Sequence, residues 1–285
     1  MSVPLPLPPE SESAGDPWAW IRDDDTAVPV LPTLAHRVID IAADPEVHVA
    51  QLAGVVSKDQ VLAARVLQMA NSAFSSPLQA ISTVAEAIVR LGTASVRNIV
   101  LTVCLASRMH DPEVYGDRGR ALVDHALGVA YLARFVAERA RTQIDEAFLC
   151  GLLHDIGKLV LLKQAHRHWK QTGRMVPPVY VELALVERHA AMGSVALRKW
   201  RLPESFDEIV NCHHDYRAAR EMRRETAVIY AANLLAHRFG FGCDAQAIDL
   251  LADPVSNELG LDAAWIETLD ARAPGLVEIA KQSLA

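Results

Sequence analysis

No stretch of the sequence is apolar for the 18 or so consecutive residues that a membrane-spanning helix needs, so none is expected. The first residues, MSVPLPLPPESESAG, have neither a basic n-region nor an apolar h-region; a secretory signal is not visible, and the default expectation is a cytoplasmic protein with no membrane association. There is no CxxC pair. Cys104, Cys150, Cys212 and Cys243 are scattered, and Cys104 and Cys150 sit inside apolar runs, which reads as reduced core thiols rather than a disulfide frame or a thiolate zinc site. Positive charge is not in excess either. A formal net charge of −7 argues against an extensive nucleic-acid surface, while leaving room for a small basic pocket. No run alternates polar and apolar residues long enough to predict a strand.

What is present is helical patterning. Hydrophobic residues make up 51% of 285, enough to bury a sizeable core in one large domain or two smaller ones. Residues 1–28 are rich in Pro, Ser, Gly and acidic groups and read as a flexible tail. Trp18 and Trp20 interrupt that reading and predict that the end of the tail packs on the body. Leu34, Val38 and Ile41 mark one face of a helix beginning after Pro32. Ser57 with Gln60, and Thr83 with Glu86, each have the form of a capping box, which predicts helix starts at both places. Gly92 reads as a stop, with Thr93 capping the next helix.

These elements form an N-terminal helical lobe over about 31–110. The polar stretch HDPEVYGDRGR, from His110 to Arg120, is expected to link it to a second lobe over about 120–240. That lobe contains the apolar helices RALVDHALGVAYLARFVAERA, DEAFLCGLLHDIGKLVLLKQA, YVELALVERHAAMGSVALRKW, PESFDEIVNCHHDY and TAVIYAANLLAHRFG. Two or three short helices are expected to close the fold over 241–285. The predicted class is all-α and two-lobed.

Eleven histidines are distributed unevenly. His125, His154, His189, His213 and His214 each lie in or at the end of an apolar helix of the second lobe, and Asp155 adds a carboxylate. A single buried histidine is ordinarily a hydrogen-bonded core residue. Imidazoles from several helices together with a carboxylate suit Fe, Mn, Zn or Ni, and helical bundles build metal sites in this way.

In order and context these pieces resemble the HD superfamily of metal-dependent phosphohydrolases, in particular its HD-GYP branch: DHALGVA around His125, LLHDIGKL around His154 and Asp155, ERHAAMG around His189, and CHHDY around His213 and His214. Further segments, LPTLAHRVIDIAADP, VLQMANSAF, ISTVAEAIVRLG and KWRLPESFDEIVNCHH, narrow the resemblance to the HDOD family, the HD-related output domain of bacterial signalling proteins. The similarity covers about residues 29–240, and an HDOD domain is expected over 29–285.

The resemblance implies an all-helical regulatory domain. Such a domain acts on a signalling partner, or on a small ligand such as a nucleotide or phosphate. Most family members have lost the metal ligands, and here most ligand positions are retained. The resemblance therefore implies one or two transition-metal ions, Fe or Mn first and Zn or Ni next. Asp155 would bridge them, with His125 and His154 on one side and His189, His213 and His214 on the other. Two departures point away from catalysis. Where the hydrolases carry a last Asp ligand, IYAANLLAH has Asn233, a neutral and weaker ligand. After His214 the chain runs Asp215-Tyr216-Arg217, without a GYP motif. The competing reading is a metal-dependent phosphohydrolase acting on a nucleotide-type substrate. Asp155 and Lys158 would then be catalytic, Lys158 steadying a phosphate oxygen rather than lying along the surface. Di-iron oxygen chemistry, known in distant HD relatives, is a third class that no residue selects. Arg217, Arg220, Arg223 and Arg224 read either as a solvated face balanced by Glu221 and Glu225 or as an anion-binding rim, with Arg217 and Arg220 its candidates. His166 and His168 fall outside the ligand series and are expected at a surface or interface.

Overall fold

A computed structural model of the chain describes residues 16–22, 24–42, 44, 48–71, 81–108 and 111–282. Expectations for residues 1–15, and for the 72–74 end of VLQMANSAF, fall outside them. The described residues are helical with no strand, as the absence of alternating patterns predicts. No single helix among them is long and apolar enough to cross a membrane.

The first lobe is built from α1 (Thr33–Ala42), α2 (Val49–Val56), α3 (Gln60–Ala70), α4 (Val84–Leu91) and α5 (Thr93–Arg108). Thr83 and Glu86 form the predicted capping box at the start of α4, and Gly92, at φ +83°, ends that helix. The other predicted box is corrected. Asp59, not Ser57, caps α3, its carboxylate accepting from the Val61 and Leu62 amides, because Ser57 still belongs to the last turn of α2. Thr93 is likewise the first residue of α5, not its cap, and the Gly92 carbonyl accepts from Val96.

The second lobe contains α6 (Pro112–Ala140), α7 (Ile144–Leu153), α8 (Ile156–Thr172), α9 (Pro178–Glu187), α10 (His189–Lys199), α11 (Glu204–Cys212), α12 (Arg223–Phe239), α13 (Pro254–Leu259) and α14 (Ala263–Gln282). The polar stretch expected to link the lobes is mostly helix. Asp111 caps α6, Pro112 occupies its first turn, and the glycine freedom of Gly116 (φ +54°) kinks the helix instead of ending it. The closing segment also differs from expectation, since α14 is 20 residues long.

One continuous apolar core runs from Trp20 to Leu269 and joins the lobes, with α5 against α7. Polar contacts flank that junction: Asn98 Nδ2 donates to the Asp145 carbonyl at 3.0 Å, and Ser95 Oγ to the Asp145 carboxylate at 3.3 Å. Cys104 and Cys150 are buried thiols, as predicted, and none of the four cysteines is in a disulfide. The end of the tail packs on the body. Trp20 is buried, and Trp18 lies under the Arg188 guanidinium, 5.1 Å from its ring centre.

Candidate metal centre

The segment expected to run as one helix through LLHDIGKL is broken there. α7 ends at Leu153, His154 and Asp155 form a turn, and α8 begins at Ile156. α9 and α10 are similarly separated at Arg188, so His189 opens α10, while His213 and His214 follow the end of α11. Helix ends lack part of the intrahelical hydrogen bonding and aim side chains along the axis as well as outward. Three helix boundaries thus converge on one point, and His125 reaches it from the interior of α6.

At that point Asp155 divides the histidines. Its Oδ2 lies 3.4 Å from His154 Nε2 and 3.8 Å from His125 Nε2. Its Oδ1 lies 3.3 Å from His189 Nε2 and 3.7 Å from His213 Nε2. His214 Nε2 is 3.0 Å from His189 Nε2. The potential ligand atoms form two groups sharing Asp155: one with His125 and His154, the other with His189, His213 and His214. Lys158, one turn into α8, places Nζ 2.5 Å from Asp155 Oδ2.

The far side of the imidazoles determines their tautomers. Nδ1 of His154 meets the Gly151 carbonyl at 2.8 Å, that of His213 the Val210 carbonyl at 2.6 Å, and that of His125 the Phe241 carbonyl at 3.2 Å. A carbonyl only accepts, so each Nδ1 carries the proton, and Nε2 is the ring nitrogen that faces inward. Lone pairs facing each other and a carboxylate are mutually repulsive without a cation between them. Among the described residues His154 Nε2 and Asp155 Oδ1 are buried without a hydrogen-bond partner, which a metal would supply. The donor set of imidazole nitrogens and one carboxylate therefore fits a transition metal.

Electrostatics favour the same protonation state. Burial pushes His125 down to about 3 and His189 to about 4, in each case against the opposing pull of Asp155. Burial also depresses His213 and His214. Burial alone would raise the Asp155 carboxyl, but His154 and Lys158 beside it hold it well below the usual carboxylate range. His125, His189, His213 and His214 are thus poised as neutral imidazoles around an ionised carboxylate.

Two glycines allow the helices to come this close. A Cβ on Gly157 would sit 1.8 Å from the His189 carbonyl oxygen, so only glycine lets α8 meet the start of α10. A Cβ on Gly242, in the segment after α12, would meet the Ala121 carbonyl at 2.1 Å, where that segment seals His125.

Asn233 is buried on α12, and its Oδ1 has no partner among the described residues. One turn further along the same face is His237, which the sequence reading missed. Its ring centre lies 4.8 Å from that of His125, and its Nδ1 is 3.4 Å from Cys243 Sγ. The available signal was its i, i+4 spacing from Asn233. The arginines gather elsewhere. Arg217 is exposed over the Tyr216 ring, and the Arg220 amide donates to Glu208. Arg223 forks onto Glu258, and Arg224 reaches the Ala140 carbonyl. His166 packs edge-on against Trp169.

The model of the HDOD domain matches residues 28–216. The chain belongs to the HDOD family. α12, with Asn233 and His237, follows the matched region. A curated relative from Treponema pallidum (strain Nichols), described as an uncharacterized protein, is 25% identical over 214 residues, or 71% of this chain; the chain spans 40% of that relative's length. Among solved structures, an HDOD domain protein of unknown function from Geobacter sulfurreducens is 22% identical with a TM-score of 0.70, covering 90% of this chain and 93% of its own. A protein from Marinobacter aquaeolei VT8, provisionally named a signal transduction protein, is 23% identical with a TM-score of 0.69, covering 92% of this chain and 61% of its own. A provisionally named metal-dependent phosphohydrolase from Shewanella amazonensis SB2B is 18% identical with a TM-score of 0.67, covering 90% of this chain and 92% of its own. At these identities the likeness is one of fold, and the HDOD fold is all-helical.

Proposed function

We propose that this HDOD domain is a signal-transduction output module acting through a protein partner or small ligand, with a mono- or dinuclear transition-metal centre in its second lobe. His125, His154 and Asp155 would hold one ion, and Asp155, His189, His213 and His214 the other. The observation that carries the metal reading is the inward set of Nε2 atoms around the two oxygens of Asp155, with the Nδ1 protons of His125, His154 and His213 committed to main-chain carbonyls behind them. Fe or Mn suits this mixed nitrogen and oxygen set, with Zn or Ni next. The signalling reading is supported by family membership and by Asn233, a neutral amide where the resemblance leads one to look for a charged ligand. Protein produced with added Fe or Mn and purified without chelator is expected to carry about one to two ions per chain, the number the two ligand groups can hold. Asp155→Ala should reduce that content several-fold, as both groups share the residue. Metal-free native protein in elemental analysis would overturn the proposal.

Lys158 favours a second reading, a phosphohydrolase for nucleotide-type substrates. Bound cations supply Lewis acidity and an activated water near neutral pH. The chain's own contribution would be Asp155, held ionised and oriented, and Lys158, a part-exposed ammonium one turn away that can release Asp155 to contact a phosphate oxygen. On a panel of cyclic and linear nucleotides the native protein is expected to be inactive. Asn233→Asp is expected to create turnover if the site is an enzyme site missing one charge. Native turnover that disappears in Asp155→Ala would establish the second reading in place of the first.

A further inference from the structure

α8 leaves the metal centre and, three turns on, forms one wall of a separate cavity of about 100 Å³. The opposite wall is formed by Ala19, Trp20, Arg22 and Thr26 of the N-terminal segment. Gln164 clamps that segment in place, accepting from the Arg22 amide at 2.7 Å and donating to the Arg22 carbonyl at 2.8 Å. Trp20, Arg22, Thr26, Arg167, His168 and Gln171 line the cavity. Among the described residues that line it, Arg22 and Arg167 are the two guanidinium side chains. Asp24 stands beside it, accepting from Arg22 Nε at 2.9 Å, which engages one of the five N–H groups of that guanidinium. Arg167 donates to Thr26 Oγ1 at 2.8 Å, so its fork is already turned toward the segment. The indole N–H of Trp20 is buried with no acceptor among the described residues, an uncompensated donor in the wall of a donor-rich cavity.

We propose that this cavity binds a phosphate group, held between Arg22 and Arg167. Two guanidinium forks approaching from different elements match the several oxygens of a phosphate better than a single carboxylate. The volume suits one phosphoryl group, since sites that enclose a whole drug-sized or cofactor molecule occupy about 300 Å³ or more. Asp155 to Arg167 is twelve residues of α8, about 18 Å, so this site is distinct from the metal centre. The ligand bridges the N-terminal segment to the helix that begins just after Asp155.

Calorimetric titration of the full chain tests this, after chelator treatment so that metal-held phosphate contributes nothing. Inorganic phosphate and ethyl phosphate are titrated separately at fixed ionic strength. Saturable one-to-one binding is expected, at least tenfold weaker in both Arg167→Gln and Arg22→Gln. Arg22 is exposed and Arg167 half-buried, and unchanged melting curves verify that the variants fold. Binding of inorganic phosphate alone identifies the free anion as ligand, and tighter binding of ethyl phosphate identifies the phosphate end of a larger molecule. No binding of either at millimolar concentration, or binding undiminished in folded Arg167→Gln, overturns the proposal.

Discussion

Single residues set the charge state of the centre, and acid is the condition that disturbs it. The imidazoles of His125 and His189 are pushed from 6.5 down to about 3 and about 4 by burial, so the folded chain keeps them neutral while the unfolded chain protonates them below pH 6.5. The unfolded state then binds more protons, and stability falls with falling pH. The contribution is complete above about pH 6.5 and is lost progressively toward pH 4 and below. Asp155 acts in the same direction at the acid end, because its folded pKa is depressed below 3.8 and its stabilisation disappears as it protonates. In chelator, the thermal midpoint should decline continuously from pH 7 to pH 4; a flat profile would show that these side chains are not buried as neutral bases. The histidines themselves were legible in the sequence because five of them occur in apolar surroundings in a characteristic order. His237 was not, since its contact with His125 depends on how α12 lies across α6.

At the scale of elements, the site depends on how closely α8 and α10 approach. Gly157 meets main chain, a carbonyl oxygen and an amide that cannot rotate away. Gly193, on the facing helix, meets the end of the Val210 side chain, which can change rotamer. Gly157→Ala should therefore cost about 3 kcal/mol or more and lower metal content, whereas Gly193→Ala should cost about 1 kcal/mol. Equal losses in urea denaturation would refute this account of the helix contact. Helix identities were readable from apolar periodicity, but their boundaries were not. The break at His154–Asp155 has no Pro or Gly at the turn itself, and the run LCGLLHDIGKLVLL is apolar enough to pass for one helix. What interrupts it is the burial of a carboxylate whose partners come from other elements.

Across the whole molecule, residues 16–22 and 24–28 strap the second lobe from outside. Trp20 is buried in the core, Trp18 lies against Arg188 next to His189, and the Pro29 carbonyl accepts from Trp200 Nε1 at 3.0 Å. Trp20→Ala should lower stability by about 3 kcal/mol, the usual cost of emptying a buried tryptophan site. It should also increase proteolytic cleavage within 16–28, since the segment then loses its largest buried anchor. Unchanged cleavage and melting would show that the strap is held by its other contacts. The two tryptophans predicted the docking of this segment, but not its placement on α8 and α10.

The sequence by itself determined the all-helical class, the buried thiols, the capping box of α4 and the family, because periodicity, caps and motif order are local properties of the chain. Tertiary structure alone decided that Asp155 stands between two groups of histidines, that the Nδ1 protons of His125, His154 and His213 are turned toward carbonyls, and that Arg22 and Arg167 face one cavity. Each of these depends on residues tens to more than a hundred positions apart being brought within a few ångströms. That proximity results from the packing of the whole core, and no local pattern encodes it.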